Sequence, residues 1–90
     1  MSEHEKQNLL SLVPEWQIKN NRLSRQFALA DFNAAITFVN AIATAAEKLQ
    51  HHPDIYIHYN RVDVEIWTHD INDLSDIDFM LAKNIDTIER

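Results

Sequence analysis

The sequence predicts an α+β fold in which a single layer of four antiparallel-rich strands is covered on one face by helices, in the order α-β-β-α-β-β-α. Two stretches alternate apolar and polar residues with period two, and each is interrupted by an asparagine-bearing turn. Between them lies an unbroken segment of helical periodicity that opens on an aspartate. At both ends of the chain a serine is followed three residues later by an acid, the mark of a capped helix start.

Ser2 and Glu5 form the first capping box, Leu9, Leu10 and Val13 supply an apolar side, and Pro14 ends the helix. Trp16 and Ile18 then alternate with Gln17 and Lys19 as a short strand. Asn20-Asn21 suits a tight hairpin, because asparagine tolerates left-handed backbone. Leu23, Phe27 and Leu29 continue the alternation as a second strand. Arg25 falls on their face, so it must snorkel, meet a partner or mark a bulge.

Asp31 caps a long helix that runs to about Gln50. Asn33, Thr37, Asn40, Thr44 and Glu47 make one narrow polar stripe. Phe32, Ile36, Val39, Ala43 and Ala46 form one apolar stripe, and Ala34, Phe38, Ala41 and Ala45 form another. A helix lying on a sheet needs only one such face. The second points to a further packing surface, and in so short a chain the expected partner is another copy of itself.

Ile55, Ile57 and Tyr59 alternate with Tyr56 and His58 as a third strand. Asn60-Arg61 is the expected turn, and Val62, Val64 and Ile66 alternate with Asp63, Glu65 and Trp67 as the fourth strand. The loop from Asp70 to Leu74 leads into the last helix. There Ser75 and Asp78 are spaced as a capping box, Leu74 and Phe79 as its hydrophobic staple, and Ile77, Leu81, Ile85 and Ile88 as its core face.

At 90 residues the chain is expected to be one domain, spanning 1–90. It contains no glycine, so positive φ falls to asparagine or aspartate, with Asn20, Asn21, Asn60, Asn72 and Asp73 as candidates. It contains no cysteine, which excludes disulfides and thiolate metal sites. Eight basic against fourteen acidic residues give a net charge of -6, a surface that repels phosphate backbones and anionic lipid. Neither direct nucleic-acid binding nor membrane association is expected. No apolar run approaches the roughly 18 residues that cross a bilayer, and the start, Met1 to Glu5, is acidic and polar. These features describe a soluble cytoplasmic protein.

The residues suited to chemistry are histidines. His51 and His52 close the long helix, and His69 lies just past the fourth strand. Glu47 precedes His51 by four residues and shares its helix face if the helix continues that far, so it can orient the imidazole. Histidine is the side chain best suited to proton transfer near neutral pH. The plainer reading is a polar helix end, where a positive imidazolium suits the dipole. Asp78 is likewise accounted for by its cap, and Asp54 and Thr68 by turn and strand positions. His4 and His58 read as surface residues. No metal is expected: adjacent side chains such as His51 and His52 rarely ligate one ion, and carboxylate–histidine pairing accounts for the pattern.

His51-His52-Pro53-Asp54, Tyr59-Asn60, Trp67-Thr68-His69-Asp70, Leu74, Asp78 and Leu81-Ala82 together resemble the signature of the pterin-4a-carbinolamine dehydratase family. Asp31-Phe32, Phe38-Val39 and Ala46-Glu47 resemble that family's long helix, and Trp16 a tryptophan before its first hairpin. The match runs from about Trp16 to Ile88. A His-His-Pro tripeptide alone is weak; with Thr68-His69 and Asp78 at their spacing it is specific. Where the family usually carries glycine, this chain has Asn20-Asn21 and Ile71-Asn72-Asp73, and the bulkier Ile71 borders the implied site.

The resemblance implies a pterin pocket with His51, His52 and His69 around the reacting edge of the ring. It implies dehydration of 4a-hydroxytetrahydropterin, in tetrahydrobiopterin recycling, with no metal or organic cofactor. His51 and His69 are the expected proton-transfer pair, with His52 positioning substrate and sharing that catalytic duty. Glu47 would orient His51, and Asp78 would orient His69 or contact the pterin. Pro53, Asp54, Thr68 and Trp67 would bind or orient the substrate. The resemblance further implies a homotetramer, with dimers joined through the long helices. The family also holds accessory members that bind a partner, in animals a homeodomain transcription factor, so a non-catalytic interaction protein is the alternative.

Overall fold

The computed structural model describes residues 1–90 and has the element order read from the sequence. Helix α1 (Glu3–Leu10) is followed by strands β1 (Gln17–Lys19) and β2 (Arg22–Ala28), then by helix α2 (Phe32–Leu49). Strands β3 (Asp54–His58) and β4 (Arg61–Ile66), a 3-10 turn (His69–Ile71) and helix α3 (Asp76–Asp86) complete it. The strands form one open sheet in the order β1-β2-β4-β3, every neighbour antiparallel.

The period of two decides which face is covered. Leu23 pairs with Ile66 and Phe27 with Val62 across the central strands. These four and Val64 are buried, while Ser24, Gln26, Asp63 and Glu65 alternate onto the other face. Helix α2 brings Ala35, Phe38, Ile42 and Ala46 into the core, and α3 brings Phe79, Leu81, Ala82 and Ile85. Phe38 lies 4.7 Å from Phe27, which meets Trp16 edge-on at 6.1 Å. Burying such a side chain contributes about 1.5–3 kcal/mol.

Arg25 finds a partner. It pairs with Val64 in an unbroken ladder, so there is no bulge, and its Nη1 donates to Asp86 Oδ1 at 2.7 Å. The Trp16 indole donates to the same oxygen at 2.7 Å. One carboxylate of α3 thereby satisfies two groups that the β1–β2 side would otherwise bury unpaired.

Three expectations need correction. The second hairpin turns at Tyr59-Asn60, not Asn60-Arg61: His58 pairs with Arg61, and Tyr59 takes φ 55°. Asn60 is used as a clamp instead, its Nδ2 donating to Leu29 O (3.2 Å) and its carbonyl accepting from Leu29 N (2.8 Å). Positive φ occurs at Asn20, Asn21 and Asn72 as expected, but also at Gln50 and Tyr59, and not at Asn60 or Asp73. On α2 the buried line is Ala35-Phe38-Ile42-Ala46, which takes one residue from each apolar stripe and adds Ala35 and Ile42, which belong to neither. Ala41 and Ala45 line a groove facing Asn84, Thr87 and Ile88 of the α3 end, whereas Phe32 and Ala43 are exposed with Ile36 and Val39 half-buried between them. The most exposed apolar positions of α2 are therefore Phe32 and Ala43, while Ala41 and Ala45 stay half-buried in an open groove. No helix is long and apolar enough to cross a membrane.

Candidate functional site

The end of α2 sets the site. Gln50 adopts left-handed backbone (φ 50°, ψ 42°), its N–H bonding back to the last helical carbonyls, and His51 N–H closes onto Ala46 O at 3.1 Å. This is a left-handed helix termination without glycine. It takes His51 and His52 off the helical repeat, so spacing along α2 no longer dictates which acid each one meets.

Each imidazole has its own carboxylate, and the pairing differs from the one the spacing predicts. His51 Nε2 lies 2.5 Å from Asp78 Oδ1, and His52 Nε2 lies 2.5 Å from Glu47 Oε2. Glu47 thus orients His52, not His51, and Asp78 orients His51, not His69. The two pairs sit in different environments. The His51 and Asp78 side chains are 14% and 0% exposed, against 63% and 64% for His52 and Glu47. The inner pair is shielded from water and salt, whereas the outer one is screened.

Asp78 is the hub. Its Oδ2 accepts from Thr68 Oγ1 (2.8 Å) and from the Ser75 backbone N–H (2.9 Å), while Oδ1 faces His51. The Ser75 bond caps α3, so the cap and the support of a histidine are one carboxylate acting through two oxygens. Thr68 is itself held by Ser75 Oγ at 2.6 Å. A carboxylate that accepts from Nε2 fixes the proton there, which leaves Nδ1 of His51 free for exchange with a ligand.

His69 opens the 3-10 turn and stacks on Trp67, ring centroids 4.1 Å apart at 31°. The Trp67 indole donates to Asp54 Oδ2 at 3.2 Å, and the Arg22 guanidinium lies 4.0 Å over its ring. Below this turn, the isolated bridge between Thr68 and Asp73 closes the loop. Asp73 meets the buried Lys6 Nζ at 2.9 Å, and Lys6 also reaches Asn21 Oδ1 at 3.3 Å. The Lys6 hydrogen bond, with a second from the Leu74 N–H, holds the Asp73 carboxyl below its ordinary pKa. The same contact raises that of Lys6.

His51, His52 and His69 open together onto a cavity of about 330 Å³, whose wall is completed by Gln50, Trp67, Thr68 and Asp70. Of the other expected site residues, Glu47, Asp54 and Asp78 stand behind the wall and hold groups in it. Pro53 does not line the cavity; it links His52 to the start of β3. Sequence reasoning missed Gln50, Asp70, Ser75 and Arg22. The last could have been found from register, since Leu23 opposite Ile66 sets Arg22 beside Trp67. The arrangement is chemically able to move protons: one imidazole backed by a buried carboxylate, and a second in the same cavity.

The family model described as pterin 4 alpha carbinolamine dehydratase matches residues 1–88, and the chain belongs to that family. Two curated relatives carry that enzyme name provisionally. The one from Chloroflexus aurantiacus is 48% identical over 98% of this chain and 95% of that protein. The one from Synechococcus sp. WH7803 is 40% identical over the same shares. A crystal structure described as a transcriptional coactivator/pterin dehydratase from Brucella melitensis aligns at TM-score 0.90 and 34% identity, over 96% of this chain and 94% of that one. A pterin dehydratase-like protein described as a RuBisCO assembly factor in the alpha-carboxysome shares the fold at TM-score 0.64 and 21% identity, over 79% of this chain and 82% of that one.

Proposed function

We infer that the protein dehydrates 4a-hydroxytetrahydropterin to the quinonoid dihydropterin by histidine acid–base catalysis. The observation that carries this reading is the His51–Asp78 pair, an imidazole backed by a fully buried carboxylate at the wall of the cavity that His69 shares. Eliminating water from the carbinolamine requires one group to protonate the leaving hydroxyl and another to take the proton from the adjacent ring nitrogen. The carboxylate behind His51 stabilises the imidazolium it becomes on accepting a proton, which suits the base. His69, which lines the same cavity, takes the part of the acid. His52, exposed and tethered to Glu47, positions the ring.

The cycle closes when the proton held on His51 and the vacancy on His69 exchange with solvent, so no cofactor enters the balance. Recycling of a tetrahydropterin in the cytoplasm is the setting that fits this reaction. Assembly into a homo-oligomer, dimer or tetramer, would cover the Phe32, Ile36, Val39 and Ala43 stripe of α2. The test is the ultraviolet absorbance change of freshly generated carbinolamine, with and without protein. A rate well above the spontaneous one that vanishes in His51→Ala, His52→Ala supports the reading. No acceleration by folded wild-type protein overturns it in favour of a partner-binding role.

A further inference from the structure

The His51 and His52 imidazoles are each held by a carboxylate 2.5 Å away, but the His69 imidazole has neither hydrogen bond nor ion pair. An acid–base group must keep its place to within a fraction of an ångström, because misplacement by about 1 Å costs on the order of a hundredfold in rate. His69 is exposed, on a short turn, and its ring stacks on Trp67, 4.1 Å away.

Trp67 is in turn held from several sides. The pairing of Leu23 with Ile66 sets Arg22 beside Trp67, and the pairing of Asp54 with Glu65 brings Asp54 alongside on the face of the sheet turned away from the helices. The Asp54 carboxylate accepts from the indole N–H at 3.2 Å, which fixes the ring against rotation about its long axis. The Arg22 guanidinium lies 4.0 Å over the ring, and Glu65 holds that guanidinium at 3.4 Å. A cation over an indole is one of the stronger contacts available to an aromatic ring near water. The ring is thus fixed by an edge and by a face, and the imidazole stacks on it.

We propose that Trp67, clamped by Asp54 and Arg22, is the positioning residue for His69 and substitutes for the carboxylate that the other two histidines have. This rests on the dehydratase reading and assigns Trp67 to the histidine rather than to the pterin. A flat substrate stacking on Trp67 would have to displace the imidazole, so the two assignments exclude one another.

The test combines proton NMR of the His69 ring with steady-state kinetics of wild-type protein, Trp67→Phe and Trp67→Ala. In wild-type protein the His69 ring protons are displaced upfield by the indole. Trp67→Ala abolishes that displacement and lowers kcat on the order of a hundredfold with KM unchanged, and Trp67→Phe restores most of both. The double variant Arg22→Gln, Asp54→Asn leaves the stack unbraced and reduces both readouts together, which keeps the test alive if Trp67→Ala does not fold. A rise in KM at preserved kcat overturns the proposal and gives Trp67 to the substrate. An undisplaced His69 signal in wild-type protein overturns it as well. Wild-type protein inactive on the carbinolamine, with the ring displacement intact, sinks the dehydratase reading itself and this role with it.

Discussion

Replacing Asp78 with asparagine separates the two duties of one carboxylate. The side chain is fully buried and accepts from Thr68 Oγ1, the Ser75 N–H and His51 Nε2. Asparagine preserves the shape, but it offers one acceptor oxygen where the carboxylate offers two and has no charge. If that oxygen stays with Thr68 and Ser75, the amide faces His51 donor to donor. His51 must then turn its unprotonated nitrogen toward the protein, which leaves the wrong tautomer at the cavity. Hydrogen bonds to a charged group contribute about 1.5–3 kcal/mol, and asparagine recovers part of that, so the expected loss of stability is about 1–3 kcal/mol. Loss of a general-base function costs on the order of 10²–10⁴ in rate. Urea unfolding measures the first, and carbinolamine dehydration under conditions where the variant is fully folded measures the second. A folded Asp78→Asn protein within about threefold of wild-type kcat would refute the reasoning, because the largest electrostatic support of His51 would then be idle.

The outer pair should behave differently: Glu47→Gln removes an ion pair about two-thirds exposed, so its stability cost stays within about 1 kcal/mol and its loss of kcat is far smaller than that of Asp78→Asn. Lys6 and Asp73 contribute to stability in a pH-dependent way. The depressed Asp73 pKa gives stability that is present above the unfolded value near 3.9 and lost as pH falls through the folded one, while the raised Lys6 pKa gives stability present below about 10.4 and lost as pH rises through its folded value. Lys6→Met should therefore flatten both limbs of a plot of urea midpoint against pH, and unchanged limbs would disprove the coupling. Trp16→Phe removes a donor to Asp86 and leaves a void where the larger indole was buried, and should cost about 2–4 kcal/mol in urea unfolding, with no change in dehydration rate.

The fold was legible because it rests on local rules that the chain obeys: two alternating hairpins, one long apolar helix, and serine–acid caps at Ser2 and Ser75. The three histidines were legible as a group for the same reason, since elements of known length bring the end of α2 and the end of β4 to one cavity. Their partners were not. Pairing Glu47 with His51 assumed a helix that continues, and the left-handed Gln50 breaks the repeat one residue too soon. Nothing in glutamine or tyrosine marks Gln50 or Tyr59 for positive φ; in a glycine-free chain the tertiary structure imposes it. The sequence gives no sign that Lys6 is buried, because the Asp73 that pairs with it arrives from far along the chain.

The central claim is that His51 and His69 serve one reaction as a pair, and the most direct test is a double-variant cycle on kcat/KM. Groups that act as a unit are strongly non-additive. The account predicts that His51→Ala and His69→Ala each lower dehydration by orders of magnitude and that the double variant is scarcely worse than the poorer single one. Losses that multiply independently, or a His69→Ala protein with wild-type activity, would contradict it.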